Sequence, residues 1–315
     1  MSPSAPTESR FLIGVDENGL GSRLGPLLVT AAMAEVDDGG RGFLSRRLPK
    51  AMRCDLDDSK KLVAFGKHAL AEAWARALYP DATSPRELYR AMSLPSEETQ
   101  RARCPKRAEP QCWTLGTERF QADEATVSRV SGHLARLRKH GVNVLAVRTE
   151  AICVGALNDE RANGENRFTS DLHAMERLVL ALREAAGSDV RAVCGKVGGI
   201  SDYERFFGPL SGRLRICLER SRARSSYRFP GLGDLHFVRD ADAADPLVML
   251  ASLIGKYVRE LLMARIVEFY QARVQELRPC SGYHDPVTAQ FVELTRGPRK
   301  HLRVPLTCFE RNSEV

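Results

Sequence analysis

The sequence lacks any apolar run long enough to cross a bilayer. Its opening segment, "MSPSAPTESR", also lacks the apolar stretch of a secretory signal. No internal repeat is visible along the chain. We therefore expect a cytoplasmic protein without a membrane partner.

The cysteine pattern lacks a metal-binding or disulfide framework. Eight cysteines are scattered along the chain, and Cys194 stands inside the apolar run "VRAVCG", as buried thiols do in a reducing compartment. Cys104 and Cys112 lie near each other, but their spacing matches no zinc template and no second cysteine pair is close. A zinc knuckle at this place is the less favoured interpretation.

The composition is that of an ordinary soluble globular protein. The chain has 315 residues, of which 43% are hydrophobic and 28% charged. That length fits one large α/β domain or two smaller ones. The formal net charge of +7 favours a polyanionic partner, and nucleic acid comes first among such partners.

The first half of the chain alternates strand and helix patterns. "FLIGVD" and "GPLLVTAAMAEV" predict two strands joined by a glycine-rich turn, which is a hairpin signature. "FGKHALAEAWARAL" predicts a helix, and "NVLAVRTEAICV" predicts another strand. Residues 80–125 are less regular, and we interpret them as an insertion or a mobile lobe.

The second half continues the alternation. "TSDLHAMERLVLALREAAG" predicts an amphipathic helix, and strands follow at "VRAVCG" and within residues 214–229 and 233–242. A long helix is expected from Asp245 to about Val274, with Asp245 as its N-cap. The basic "RGPRKHLR" is predicted to be a loop. The pattern indicates an α/β protein with a mixed sheet.

The stretch "GVDENGLGSRLGP" carries the clearest chemistry. Asp16 and Glu17 close an apolar run directly before Gly19 and Gly21. Carboxylates gathered at a strand end repel each other unless a divalent cation lies between them. Glycines at the same turn let backbone N–H groups approach a sugar or a phosphate. The alternative is a solvated acidic turn whose glycines only supply positive φ angles.

Several segments resemble the ribonuclease HII family. "GVDENGLGSRLGP" resembles the family's opening motif, and "DDSKKL" at 57–62 resembles its second motif. Residues 240–260 are similar to a Lys-Ala-Asp segment followed by an Ala-Ser-rich helix, and "SGYHDP" is similar to a late Gly-Tyr motif. "HLRVPLTCF" resembles the basic-aromatic end of that motif. The resemblance spans most of residues 11–312 apart from residues 80–125.

The resemblance implies an RNase H-like fold with a central mixed sheet, flanking helices and a C-terminal helical extension at about 245–312. It implies a single domain over residues 8–312, interrupted by an insertion at about 80–125. We also expect a monomer. The implied activity is cleavage of the RNA strand of RNA–DNA hybrids, or of DNA at embedded ribonucleotides, with Mg²⁺ or Mn²⁺. Asp16, Glu17 and Asp242 would hold the metal and carry catalysis.

The resemblance also implies a set of substrate contacts. The turn of Gly19, Leu20 and Gly21 would lie against the ribose 2′-OH, by which a protein distinguishes RNA from DNA. The remaining implied contacts are Arg23, Ser59, Lys60 and Tyr283, whose ring would stack at the RNA–DNA junction.

Two departures from the family pattern favour a second hypothesis, a catalytically inactive nucleic-acid-binding protein. The family has a further catalytic aspartate where this chain has Cys194 or Gly195, depending on register. Asp202 and Glu204 follow and would reach the site only if their loop folds back. In addition, Leu20 stands where the family has an arginine, a contact that Arg23 would partly replace.

Two further signals stay open at this level. The arginines of "RLRICLERSRARSSYR" fit a phosphate-binding surface about as well as a solvated strand face. Tyr203 fits either base stacking or packing at the edge of the core.

Overall fold

The computed structural model describes residues 9–106, 111–112, 118–197 and 199–312. Within these ranges, seven strands form one sheet: β1 (Phe11–Asn18), β2 (Leu27–Val36), β3 (Val142–Ile152), β4 (Val190–Gly195), β5 (Ile216–Arg220), β6 (Arg224–Phe229) and β7 (Gly233–Val238). Their order is β3-β2-β1-β4-β7-β6-β5. The pairs β1–β4 and β4–β7 are parallel, and the other neighbours are antiparallel. The predicted α/β class with a mixed sheet is confirmed.

The described helices flank this sheet and follow it in sequence. They are α1 (Asp38–Leu44), α2 (Lys50–Arg53), α3 (Ser59–Leu62), α4 (Ala69–Leu78), α5 (Pro85–Met92), α6 (Glu97–Ala102), α7 (Glu124–Lys139), α8 (Val154–Ala162), α9 (Arg167–Ala186), α10 (Pro246–Gln271), α11 (Pro286–Leu294), α12 (Arg296–His301) and α13 (Leu306–Phe309). None of the described helices is both long and apolar enough to cross a membrane.

Each face of the sheet is covered by one long helix. Helix α10 packs on β1 and β2, while α9 packs on the opposite face against β1 to β4. Strand alternation divides β1 accordingly: Ile13 and Val15 belong to the core beneath α9, and Leu12 packs against the core beneath α10. The C-terminal end of α10 forms a third core with α11 and α13. The end of β1 therefore lies between two fixed helices.

The start of α10 has the cap that the sequence predicts. The Asp245 carboxylate accepts hydrogen bonds from the backbone N–H groups of Leu247 at 2.9 Å and Val248 at 3.2 Å. Pro246 occupies the first helical position, where a missing N–H costs nothing. The helix ends at Gln271, slightly earlier than predicted. This cap fixes the first turn of α10 against β1.

Gly14 is required by the close approach of β1 and α10. A Cβ on Gly14 would collide with the backbone of Leu247 and Val248. We expect Gly14→Ala to lower the free energy of unfolding by about 2 kcal/mol or more, because backbone cannot rotate away as a side chain can. Urea denaturation measures the effect. The matched control is Gly42→Ala in α1, where the added methyl meets open space and Ala is the better helix former. Equal stabilities for the two variants would contradict this account.

One sequence expectation was wrong in local structure, and the region at 80–125 has more regular structure than its sequence indicates. The region at 80–125 contains α5, α6 and the start of α7, and Ser84 and Ser96 cap α5 and α6. Residues 107–110 and 113–117 of that region lie outside the described residues. The basic segment "RGPRKHLR" begins with helix α12 and is not simply a loop. These helices are short, so their apolar periodicity is weak.

Candidate active site

Asp16 and Glu17 lie where β1 ends. By strand alternation, Asp16 lies on the α10 side of the sheet and Glu17 on the α9 side. Asp16 is 7% exposed and makes a side-chain hydrogen bond with Ser252 on α10. Both acids nevertheless line one cleft, because the strand ends there and the Gly19 turn opens beside it. The predicted strand-end position of the two acids is confirmed.

One cleft gathers most of the predicted site, and we call it the β1 cleft. It is lined by Asp16, Glu17, Asn18, Gly19, Leu20, Ser59, Lys60, Asp242, Ser252, Lys256, Arg259, Glu260 and Tyr283. These residues come from the end of β1, from α3, from the turn after β7, from α10 and from the loop before α11. Four segments that are distant in sequence thus converge on the two acids.

Asp242 reaches the cleft from a short 3-10 turn, Ala241–Ala243, that follows β7. Its Oδ2 lies 3.3 Å from the ammonium of Lys60 on α3. The negative charge of Asp242 raises the pKa of Lys60 above its ordinary value. The ion pair therefore connects the "DDSKKL" segment, through Lys60, to Asp242.

Cationic groups of α10 form the opposite wall. Lys256 donates a hydrogen bond to the backbone oxygen of Val63 at 2.7 Å, and so holds α3 against α10. The Arg259 guanidinium lies 4.4 Å from the centre of the Tyr283 ring, in cation–π contact. Arg259 also excludes any side chain at Gly19, whose φ is +83° and whose added Cβ would collide with it. The Gly19 turn therefore packs directly against Arg259 of α10.

The turn after β1 is also held by a segment far along the chain. Arg311 donates hydrogen bonds to the backbone oxygens of Gly19 at 2.6 Å, Leu20 at 3.1 Å and Gly25 at 2.8 Å. Its neighbour Glu310 accepts a hydrogen bond from Arg23 at 2.6 Å. The turn is therefore held in place by side chains that do not line the β1 cleft.

The acids of the cleft carry strongly perturbed acidities. Burial, followed by the negative charge of Glu17, raises the pKa of Asp16 well above its usual range. Burial and the charge of Asp242 raise the pKa of Glu17 to about 7, although Lys60 opposes the shift. Two acids that resist ionisation side by side have the electrostatics of a site that gains from a cation.

The shift on Glu17 predicts a pH dependence of stability. Between its ordinary value of 4.5 and about 7, the folded protein holds a proton that the unfolded chain has released. The free energy of unfolding should therefore fall as pH rises through that window, by on the order of 2 kcal/mol in EDTA. Urea titrations at a series of pH values test this, with Glu17→Gln as the control. Parallel pH profiles for the two proteins would refute the assignment to Glu17.

The structure separates the predicted site residues into two groups. Ser59, Lys60, Gly19, Leu20 and Tyr283 line the β1 cleft with the three acids. The other two predicted contacts, Gly21 and Arg23, are not among its lining residues. Arg23 is paired with Glu310, which does not line the cleft either.

Of Cys194 and Gly195, only Gly195 faces the two acids at the end of β1. Val15 of β1 pairs with Cys194 of β4, and the next residues of the two strands are Asp16 and Gly195. A Cβ on Gly195 would lie 3.0 Å from Asp16 Oδ1 and 3.4 Å from Glu17 Oε2. Cys194 faces the opposite way and is fully buried in the α9-side core. Burial raises the pKa of its thiol well above the usual range, as expected of an inert thiol.

The two acids that follow Gly195 in the sequence lie outside the β1 cleft. Asp202 and Glu204 both pair with the guanidinium of Arg220, at 3.2 Å and 3.4 Å, and neither lines the β1 cleft. Tyr203 between them is fully buried and stacks on Phe237 with ring centres 3.9 Å apart. The packing interpretation of Tyr203 is therefore confirmed.

Sequence reasoning missed part of the cleft wall. Ser252, Lys256, Arg259 and Glu260 lie on α10 at helical spacing, so they share one face. The signal was present, because polar residues recur three or four positions apart in an otherwise apolar helix. Asn18 was missed as well; it directly follows the two acids on β1.

No protein-family model matches the chain, and no curated protein sequence matches it. Solved structures align with it at low identity. The RNase HII in a PCNA:RNase HII complex from Archaeoglobus fulgidus is 17% identical over 97% of this chain and 96% of that chain, with a TM-score of 0.42. Ribonuclease H2 from Pyrococcus horikoshii OT3 is 15% identical over 95% and 92%, with a TM-score of 0.42. Bst-RNase HIII in complex with Mn²⁺ is 15% identical over 92% and 71%, with a TM-score of 0.40. Values this low do not by themselves assign an activity to the chain.

Proposed function

We propose that this protein is a divergent, ribonuclease HII-like endonuclease that depends on a divalent metal ion. Its substrate would be the RNA strand of an RNA–DNA hybrid, or a ribonucleotide embedded in duplex DNA. The observation that carries the proposal is the β1 cleft, in which Asp16, Glu17 and Asp242 meet a cationic wall and an exposed aromatic ring. Acids, cations and a stacking surface are the parts that metal-dependent cleavage of a nucleic acid requires.

The donor set of the cleft fits Mg²⁺ or Mn²⁺ in its chemistry. Carboxylate oxygens are the ligands these hard cations prefer, and Asp16, Glu17 and Asp242 would provide them. Among the described residues, no three His, Cys, Asp or Glu side chains are already grouped tightly enough to hold an ion. Binding would therefore draw the acids closer together. The ion would supply charge stabilisation to the phosphodiester as it is hydrolysed.

The other residues of the cleft would position the nucleic acid. The Gly19–Leu20 turn, held from behind by Arg311, would present its backbone to a ribose 2′-OH. Lys60 is largely exposed, with 77% of its side chain accessible, and would contact the phosphate backbone. Tyr283 is 42% exposed and braced by Arg259, so its ring is available to stack on a sugar or a base.

One observation favours a second candidate, a nucleic-acid-binding protein without catalysis. Gly195 places no side chain at a position that directly faces Asp16 and Glu17. A metal-bridging carboxylate lost from such a place reduces both the charge and the order of the metal site. The cationic wall and Tyr283 would still bind a hybrid duplex.

A cleavage assay separates the two candidates. The substrates are a DNA duplex with one embedded ribonucleotide, an RNA–DNA hybrid and an all-DNA duplex, each incubated with Mg²⁺, Mn²⁺ or EDTA. The proposal expects metal-dependent cuts at ribonucleotides only. Binding to the hybrid without cleavage in either metal would establish the second candidate instead. Cleavage of the all-DNA duplex at a similar rate would contradict both.

Two further properties belong to the same proposal. Residues 8–312 would form a single domain, in which α5, α6 and the region around them extend the family pattern. The protein would also act as a monomer. Light scattering at assay concentrations checks the second statement, and a dimer mass would contradict it.

A further inference from the structure

Asp171 on α9 is a buried acid without a hydrogen-bond partner. Its side chain is 0% exposed, and neither of its carboxyl oxygens is hydrogen-bonded to any residue the structure describes. Among the described residues, other buried acids have hydrogen-bond partners. Glu176, on the same helix, accepts a hydrogen bond from the backbone N–H of Leu210 at 2.7 Å. Asp171 is therefore an exception that requires an explanation.

Asp171 lies near the two acids at the end of β1. Helix α9 packs against β1 and β4, and Asp171 lies among core residues of that face beside Cys194. The negative charges of Glu17 and Asp16 act on its carboxyl group, and the effect of Glu17 is the larger of the two. Asp171 is not a lining residue of the cleft, and Glu17 is the acid on the same side of the sheet. The acid thus lies behind Glu17, on the α9 side.

This arrangement is costly for the fold. Burying a carboxyl group without a hydrogen bond is unfavourable, and the nearby charges of Glu17 and Asp16 add repulsion. Asp171 also continues the apolar stripe of Met175, Leu178 and Leu182, where an apolar side chain would pack without penalty. Residues that destabilise a fold in this way are typical of functional sites.

We propose that Asp171 supplies, from helix α9, the carboxylate that is missing at Gly195, and so completes a divalent-cation site with Glu17 and Asp16. The ligand is a hard divalent cation such as Mn²⁺ or Mg²⁺, because the three groups offer only carboxylate oxygens. The cation would offset the repulsion among the acids and satisfy the oxygens of Asp171. The inference rests on the metal dependence in the proposed function, but it is tested without nucleic acid.

The test is Mn²⁺ binding by calorimetry, together with thermal unfolding in EDTA and in Mn²⁺. Asp171→Asn keeps the shape of the side chain and removes the charge, and Asp171→Leu gives the apolar replacement. We expect both to weaken Mn²⁺ binding about 10-fold or more. Both should also raise the melting temperature in EDTA and lose most of the increment that Mn²⁺ gives to the wild type.

Glu176→Gln is the matched control, because it neutralises a buried acid on the same helix whose charged neighbour is Arg177 and not Asp16 or Glu17. It should bind Mn²⁺ as the wild type does. In the double variant Asp171→Asn/Gly195→Asp, the acid is moved to β4, and Mn²⁺ binding should return. Wild-type affinity in Asp171→Asn would overturn the inference, and so would a wild type that binds no Mn²⁺.

These outcomes are separable from those of the cleavage assay. A wild type whose Mn²⁺ binding depends on Asp171, but which cuts no ribonucleotide substrate, upholds the cation site and rejects the nuclease. A wild type that cuts such substrates while Asp171→Asn binds Mn²⁺ normally upholds the nuclease and rejects the role of Asp171.

Discussion

Asp16→Asn should abolish cleavage of a ribonucleotide-containing duplex, with a loss of about 10³-fold or more in rate. The carboxylate is buried beside Glu17, and both Glu17 and Asp242 raise its pKa. Asparagine keeps the hydrogen bond to Ser252 within reach and removes the charge that would bind the metal. A gel assay with an end-labelled substrate measures the rate in Mg²⁺ and in Mn²⁺.

The stability of the same variant shows whether the loss arises from the site. Removing a charge that is repelled by its neighbours should leave the melting temperature in EDTA unchanged or higher. Asp202→Asn is the matched control, because Asp202 pairs with Arg220 outside the cleft and should be dispensable for cleavage. Activity retained in Asp16→Asn, or lost equally in Asp202→Asn, would contradict the assignment of the cleft.

In the Asp171→Asn background, Gly195→Asp should have the opposite effect and raise the rate of cleavage about 10-fold or more over Asp171→Asn alone. Gly195 has no positive φ, so its backbone accepts a side chain, and the new Cβ would face both Asp16 and Glu17. In EDTA the added charge should lower the melting temperature, since it joins acids that already repel one another. Cleavage rates and melting curves with and without Mn²⁺ measure the two effects.

Two neighbouring substitutions control for this gain. Gly195→Asn adds almost the same volume without a charge, and it should not raise the rate. Cys194→Asp places the charge one residue earlier, in the α9-side core, where it should destabilise the protein strongly. If Gly195→Asp and Gly195→Asn behave alike, an acid at this position has no role in the chemistry.

The strand and helix patterns that place the site were readable in the sequence because they are local. The apolar run before Asp16 and Glu17 predicts β1, and Asp245 followed by Pro246 predicts the start of α10. Asp242 was placed by resemblance to a motif, and the structure brings it to the same cleft.

The features that were missed depend on contacts between distant segments. The choice between Cys194 and Gly195 is decided by the pairing of β4 with β1, which no local pattern specifies. Asp171 lies in a helix whose apolar periodicity is strong, so the sequence pattern predicted the helix but not a role for this acid. The pairing of Arg23 with Glu310 joins two segments far apart in the chain, so the sequence did not indicate it.

The clamp of Arg311 on the turn after β1 has a consequence for synthesis of the protein. The two groups that meet there, Arg311 and the backbone of Gly19, are 292 positions apart in the chain. A ribosome adds the second partner only long after the first has emerged, so the turn waits in an unfixed state while β1 and β2 can already pair. The cleft reaches its final shape only once residue 311 is free to fold back. A nascent chain would therefore carry Asp16 and Glu17 for most of its synthesis without a fixed Gly19–Leu20 turn beside them.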